Sequence, residues 1–102
     1  MPALKVLLAE DDFLLQALAS AVLVQEGFTV IQAMDGGQAL TLFEEEHPDL
    51  VLTDYDMPVM NGLELIRAIR AKGLETYVPL VMFTGGGKPG LLQESLEAGA
   101  IE

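Results

Sequence analysis

The chain has 102 residues, which fits one small domain, and a 51% hydrophobic content with mean hydropathy of +0.39 supplies enough apolar material for a core. A net charge of −11, with only 5 Lys and Arg, argues against contact with a phosphate backbone, so no direct nucleic-acid binding is expected of this segment. The absence of cysteine and the presence of 1 histidine exclude disulfides and thiolate chemistry, make a zinc site unexpected, and agree with a reducing cytoplasm.

Met1-Pro2-Ala3-Leu4-Lys5 carries no long apolar signal region, so export is not expected. No later apolar run approaches the roughly 18 residues that a membrane span needs. Residues 5–9 form a short apolar run that ends in Glu10-Asp11-Asp12 and read as a buried first strand. From Asp12, an N-cap, Leu14, Leu15, Leu18, Ala21 and Val22 recur at helical spacing up to Gly27, a C-terminal stop. Residues 28–31, aromatic and β-branched, predict a second strand. In the turn that follows, Asp35 and Gln38 have capping-box spacing ahead of a second helix through Ala39-Leu40-Thr41-Leu42-Phe43. Its last residues, Glu44-Glu45-Glu46, oppose the negative end of the helix dipole, so that end is expected to fray or face water before His47-Pro48 closes it.

Leu50-Val51-Leu52-Thr53 is a nearly all-apolar third strand, suited to a central position covered on both faces, and it runs straight into Asp54. Asn61 and Glu64 again provide a cap and box before Leu65, Ile66 and Ile69 line one helical face, with Gly73 as the stop. Residues 78–83 predict a fourth strand, Pro79 being acceptable near its start, and it ends at Thr84. A loop, Gly85-Gly86-Gly87-Lys88-Pro89-Gly90, leads into a helix carrying Leu91, Leu92, Ser95 and Leu96 and closed by Gly99. Lys88 reads as a solvated loop lysine: a phosphate loop would need glycine where Met82 stands and Ser or Thr where Pro89 stands. His47 reads as a loop residue, and Met34, Met57, Met60 and Met82 as packing residues. Four alternations of strand and helix with short connections predict an α/β domain over residues 1–102, with a doubly wound parallel sheet and right-handed crossovers.

In such a sheet ligands collect at the carboxyl ends of the strands, which brings Glu10, Asp11, Asp54 and Thr84 to one edge. Two unit charges about 4 Å apart at an effective dielectric near 20 repel by ~4 kcal/mol, so three carboxylates there must take up protons or hold a cation. Oxygen donors without His or Cys favour Mg²⁺ or a similar hard ion. A carboxylate beside such an ion can attack phosphorus, making Asp54 a candidate for acyl phosphate formation and Thr84 a hydroxyl donor to a phosphoryl oxygen.

Taken together, Glu10-Asp11, the Ala33-Met34-Asp35-Gly36 turn with Ala39-Leu40, Asp54 with Met57-Pro58 and Gly62, Thr84, and Glu97-Ala98-Gly99-Ala100 carry a resemblance. The chain resembles a response-regulator receiver domain of bacterial two-component signalling along its whole length. The resemblance implies a flavodoxin-like fold, with Asp54 as phosphoacceptor for a histidine kinase or phosphotransfer protein and Thr84 as switch hydroxyl. It implies Mg²⁺ held by Asp11, Asp54 and the backbone carbonyl of Asp56, with Glu10 acting mainly through water. Asp56 would also tune phosphoryl lifetime, and a downstream output domain or protein would read the phosphorylated state.

Such domains continue past the Gly-Ala turn into a fifth strand, a Lys-Pro and a fifth helix. Ending at Ile101-Glu102, this chain is expected to show strand order 2-1-3-4, an open fourth strand prone to self-association, and a partly uncovered first helix. Two other readings are a receiver-like interaction module that no longer signals, and a Mg²⁺-dependent phosphohydrolase. The second is prompted by the D-x-D-x-x-V pattern of Asp54-Tyr55-Asp56-Met57-Pro58-Val59. In haloacid-dehalogenase-like phosphatases that motif follows the first strand, not the third.

Overall fold

The computed structural model of the chain describes residues 3–73 and 78–83. Thr84, the 85–90 loop with Lys88, the helix expected to carry Leu91, Leu92, Ser95 and Leu96, and Gly99 lie outside the described residues. Seven elements follow in order: β1 (Lys5–Ala9), α1 (Phe13–Gln25), β2 (Thr29–Ala33), α2 (Gly36–Glu46), β3 (Leu50–Asp54), α3 (Gly62–Arg70) and β4 (Leu80–Phe83). All four strands are parallel, in the order β2-β1-β3-β4. The sheet is thus doubly wound as expected, with the flavodoxin-like order.

β1 is central, and Val6, Leu7, Leu8 and Ala9 are all buried, which explains why its sequence is apolar throughout instead of alternating. Leu7, Ala9, Ala33, Val51 and Leu80 meet Ala39 and Phe43 of α2 and Leu65, Ile66 and Ile69 of α3 in the main core. Met57, Met60 and Met82 pack against this core, as packing residues should. α1 lies on the opposite face of the sheet, where Gln32 of β2 hydrogen-bonds its Ser20 at 2.8 Å.

Each helix starts where its cap directs. Asp12 accepts the Leu15 N–H at 3.0 Å, Asp35 the Gln38 N–H at 2.7 Å, and Asn61 the Glu64 N–H at 2.9 Å. At α3 the box is reciprocal, since Glu64 takes the Asn61 N–H at 3.0 Å. At α2 the returning bond reaches one residue further back: Gln38 accepts from the Met34 N–H at 2.7 Å. α2 runs intact through its exposed triple glutamate, because Lys5 Nζ donates to the Glu46 carbonyl at 3.2 Å and Lys72 pairs with Glu44.

Several boundaries shift from the sequence-based expectation, and pairing decides them. β2 spans Thr29–Ala33 instead of residues 28–31 because the register with β1 carries it on to Ala9↔Ala33. β4 begins at Leu80, two residues later than expected; Pro79 has no N–H to give the ladder, although its carbonyl accepts from the Val51 N–H at 3.0 Å. The helical spacing in α1 is also right, yet the residues that revealed it, Leu14, Leu15, Leu18 and Val22, are exposed, while Gln16 and Ser20 are buried against the sheet. Among the described residues no helix is long and apolar enough to cross a membrane.

Candidate functional site

The order of the strands places the site. The chain steps from β1 outward to β2, then crosses back to β3 on the other side of β1. A single crossover hand therefore puts α1 on one face and α2 and α3 on the other, leaving a crevice between the carboxyl ends of β1 and β3. Glu10 and Asp11 follow β1 directly, and Asp54 is the last residue of β3.

Carboxylate oxygens of Glu10, Asp11 and Asp54 lie within 4.8 Å of one another. Asp11 is exposed, Asp54 half-buried and Glu10 only 2% exposed. Glu10 Oε1 accepts the Asp12 N–H at 3.3 Å, but Oε2 is buried with no hydrogen-bond partner. Burial first, and then the neighbouring Asp54 carboxylate, raise the Glu10 pKa from 4.5 to about 7. Two acceptor-only carboxylates cannot satisfy each other while both are ionised, so this pair calls for either a shared proton or a cation. An all-oxygen donor set with an orphaned buried oxygen fits a hard divalent ion such as Mg²⁺.

The loop from β3 to α3 shapes the approach. Gly62 N–H donates to the Tyr55 carbonyl at 2.9 Å, and a Cβ on Gly62 would overlap the Asp54 carbonyl oxygen. Only glycine lets the start of α3 come this close to the end of β3. Exposed Val59 has φ of 72°, a region β-branched residues avoid, and the Met60 N–H donates across it to the Pro58 carbonyl at 2.7 Å in a γ-turn. That turn lays Met60 on Gly36, where a Cβ would overlap the Met60 backbone. Asp11, Tyr55, Asp56, Met57, Pro58 and Asn61 line a groove of about 530 Å³ beside the acidic cluster. Asp56 is exposed there, and Tyr55 flanks the opening.

The fold thus brings together Glu10, Asp11 and Asp54 and sets Asp56 beside them, while Thr84 lies outside the described residues. His47 is an exposed left-handed cap of α2, remote from the crevice as its sequence context implied. Sequence reasoning missed Gln16. Its signal was present: a glutamine with a serine four residues on, inside the otherwise apolar Phe13–Gln25 helix.

A family model described as a response regulator receiver domain matches residues 6–102. Sporulation initiation phosphotransferase F of Bacillus subtilis is 35% identical over 97 residues, covering 95% of this chain and 77% of its own length. The DNA-binding response regulator MtrA of Mycobacterium tuberculosis is 40% identical over 96 residues, 94% of this chain but 41% of its own length. The chain therefore spans less than half of that longer regulator. The chemotaxis protein CheY4 of Vibrio cholerae superposes with a TM-score of 0.89 at 32% identity, covering 96% of this chain and 82% of that one.

Proposed function

This chain belongs to the response regulator receiver domain family, and from that premise we propose that Asp54 accepts a phosphoryl group from a phosphohistidine, with Mg²⁺ held by the acidic crevice. The observation that carries the proposal is the meeting of three carboxylates within 4.8 Å, one of them with a buried oxygen that has no partner. Asp11 and Asp54 would hold the ion directly, with the Asp56 carbonyl, and Glu10 through water. When bound, the ion offsets negative charge on the transferring phosphoryl oxygens and on the carboxylates themselves.

The protein's own residues do the rest. Asp54 is held at a strand end by the β3–β4 pairing of Asp54 with Phe83, and its carboxylate lies with those of Glu10 and Asp11 in the crevice. A carboxylate oxygen attacks phosphorus, the bond from phosphorus to the donor imidazole breaks, and the electron pair leaves with the imidazole nitrogen, giving an aspartyl phosphate. Thr84, next in sequence after β4, would donate its hydroxyl to a phosphoryl oxygen. Asp56, exposed at the groove, would influence the later attack of water through its negative charge.

On this reading the domain works as a signalling switch in the cytoplasm instead of as a turnover enzyme. A sensor kinase or phosphotransfer protein loads it and an output domain or protein reads it; self-association through β4 belongs to the same proposal. The test is incubation with acetyl phosphate or beryllofluoride and Mg²⁺, followed by intact-mass and phosphate-release measurements on wild type and Asp54→Asn. One phosphoryl adduct that requires Mg²⁺ and is absent from Asp54→Asn is expected. No adduct would leave an interaction module, and rapid turnover of many phosphoesters would indicate a hydrolase; either result overturns the proposal.

A further inference from the structure

α1 turns polar atoms toward the sheet at one place, and that place lies beneath the acidic crevice. Gln16 is 2% exposed, and its Nε2 donates to three backbone carbonyls: Leu8 at 3.1 Å, Glu10 at 3.3 Å and Ala33 at 3.1 Å. An amide nitrogen has two hydrogens, so at least one is shared between two acceptors. Its Oε1 accepts the Ser20 hydroxyl at 2.9 Å, and the Ser20 oxygen accepts from Gln32 Nε2 at 2.8 Å. The carboxamide is thus held at both ends and cannot swing away.

The three carbonyls belong to the place where β1 leaves the sheet. Ala9 is the last residue of β1 paired with either neighbour, opposite Ala33 and Thr53, so Glu10 lies beyond the ladder. Glu10 N–H still reaches the Ala33 carbonyl at 3.0 Å, and Gln16 takes the Glu10 and Ala33 carbonyls from above. The Glu10 backbone is therefore pinned on both sides of its Cα, with Asp11 attached directly to it. Leucine at position 16 would suit an apolar helix better, but would give up all three donations, including the one to the Glu10 carbonyl beyond the ladder.

We propose that Gln16 is a positioning residue for the Glu10-Asp11 pair, holding two of the three carboxylates of the crevice in place against their mutual repulsion and so setting the affinity for Mg²⁺. The inference rests on the receiver reading above and adds to it a residue outside the acidic cluster. It acts as the partners behind metal ligands do in general, by fixing ligand geometry before the ion arrives, and losing such a partner weakens binding by about tenfold or more.

The full chain is titrated with Mg²⁺ by calorimetry, as wild type, Gln16→Leu, Gln16→Asn and Ser20→Ala. Thermal unfolding in EDTA identifies a temperature at which all are folded. Ser20→Ala removes a bond of the same cluster but none to the Glu10 backbone, so it reports the purely structural effect. Gln16→Leu and Gln16→Asn are expected to raise the Mg²⁺ Kd by about tenfold, while Ser20→Ala lowers Tm and keeps Kd within about twofold of wild type. Should Gln16→Leu fail to fold, Gln16→Asn, which keeps an amide but falls a methylene short, decides the matter. Gln16 variants that lose Tm yet keep the wild-type Kd overturn this inference alone. A wild-type protein that binds no Mg²⁺ overturns the receiver reading itself.

Discussion

Glu10 is a carboxyl group almost closed to water, with one weak donor at the Asp12 amide and a second carboxylate beside it. Its pKa of about 7, raised first by burial and then by Asp54, means that the folded, metal-free protein binds this proton more tightly than the unfolded chain does. The stability it contributes is fully present below pH 4.5 and is lost as pH rises through about 7. A shift of that size corresponds to roughly 3 kcal/mol. Urea unfolding in EDTA at about pH 5 and pH 7.5 should therefore show wild type losing roughly 2–3 kcal/mol relative to Glu10→Gln across the interval. Parallel losses in the two proteins would show that Glu10 does not carry the proton. The same chemistry predicts that Mg²⁺ binding near neutral pH releases a proton, which appears as a dependence of the calorimetric heat on buffer ionisation enthalpy.

Among the elements, α3 and α1 make an instructive pair. In α3 the apolar positions Leu65, Ile66 and Ile69 are buried and the capping box stands where Asn61 and Glu64 announced it, so local pattern and tertiary role agree. In α1 the pattern marks a helix but not its buried side. Leucine, alanine and valine surround the helix, and the choice of face falls to the two residues that find hydrogen-bond partners on the sheet, Gln16 and Ser20. Leu14 and Leu18 are consequently 66% and 56% exposed. In the 102-residue chain, Leu14→Ser and Leu18→Ser should each cost less than about 0.5 kcal/mol, whereas Ile66→Ala, fully buried between α3 and the sheet, should cost about 2–5 kcal/mol. Denaturant unfolding of the three variants reads the difference directly. A large loss in Leu18→Ser would mean that the helix face is covered in solution.

Among the described residues the topology keeps the basic residues away from the crevice, at the opposite edge, where Glu44, Glu46 and Asp49 partner Lys72 and Lys5. Glu10, Asp11, Asp12, Asp35, Asp54 and Asp56 all follow or end strands at the carboxyl edge. Lys5 opens β1, and Arg67, Arg70 and Lys72 stand at the end of α3, which starts against Asp54 and runs back along the sheet. The acidic edge therefore focuses a negative potential on the crevice and draws cations to it. Mg²⁺ should stabilise the protein against thermal unfolding, by about 2.7 kcal/mol at a hundredfold excess over Kd, and less in Asp54→Asn. Raising the monovalent salt from low concentration to ~0.5 M should weaken that binding several-fold through screening. Salt-independent stabilisation, or equal stabilisation of Asp54→Asn, would contradict a site built from these carboxylates.

By itself the sequence determined the alternation of strands and helices, the caps at Asp12, Asp35 and Asn61, and the set of acidic residues at the ends of β1 and β3, because each depends on neighbours a few positions away. Tertiary structure alone decided where β2 and β4 begin or end, which side of α1 meets the sheet, that Gln16 holds the end of β1, and that one oxygen of Glu10 has no partner. Those outcomes depend on groups far apart along the chain competing for the same hydrogen bonds and the same limited space, and local pattern carries no record of who wins.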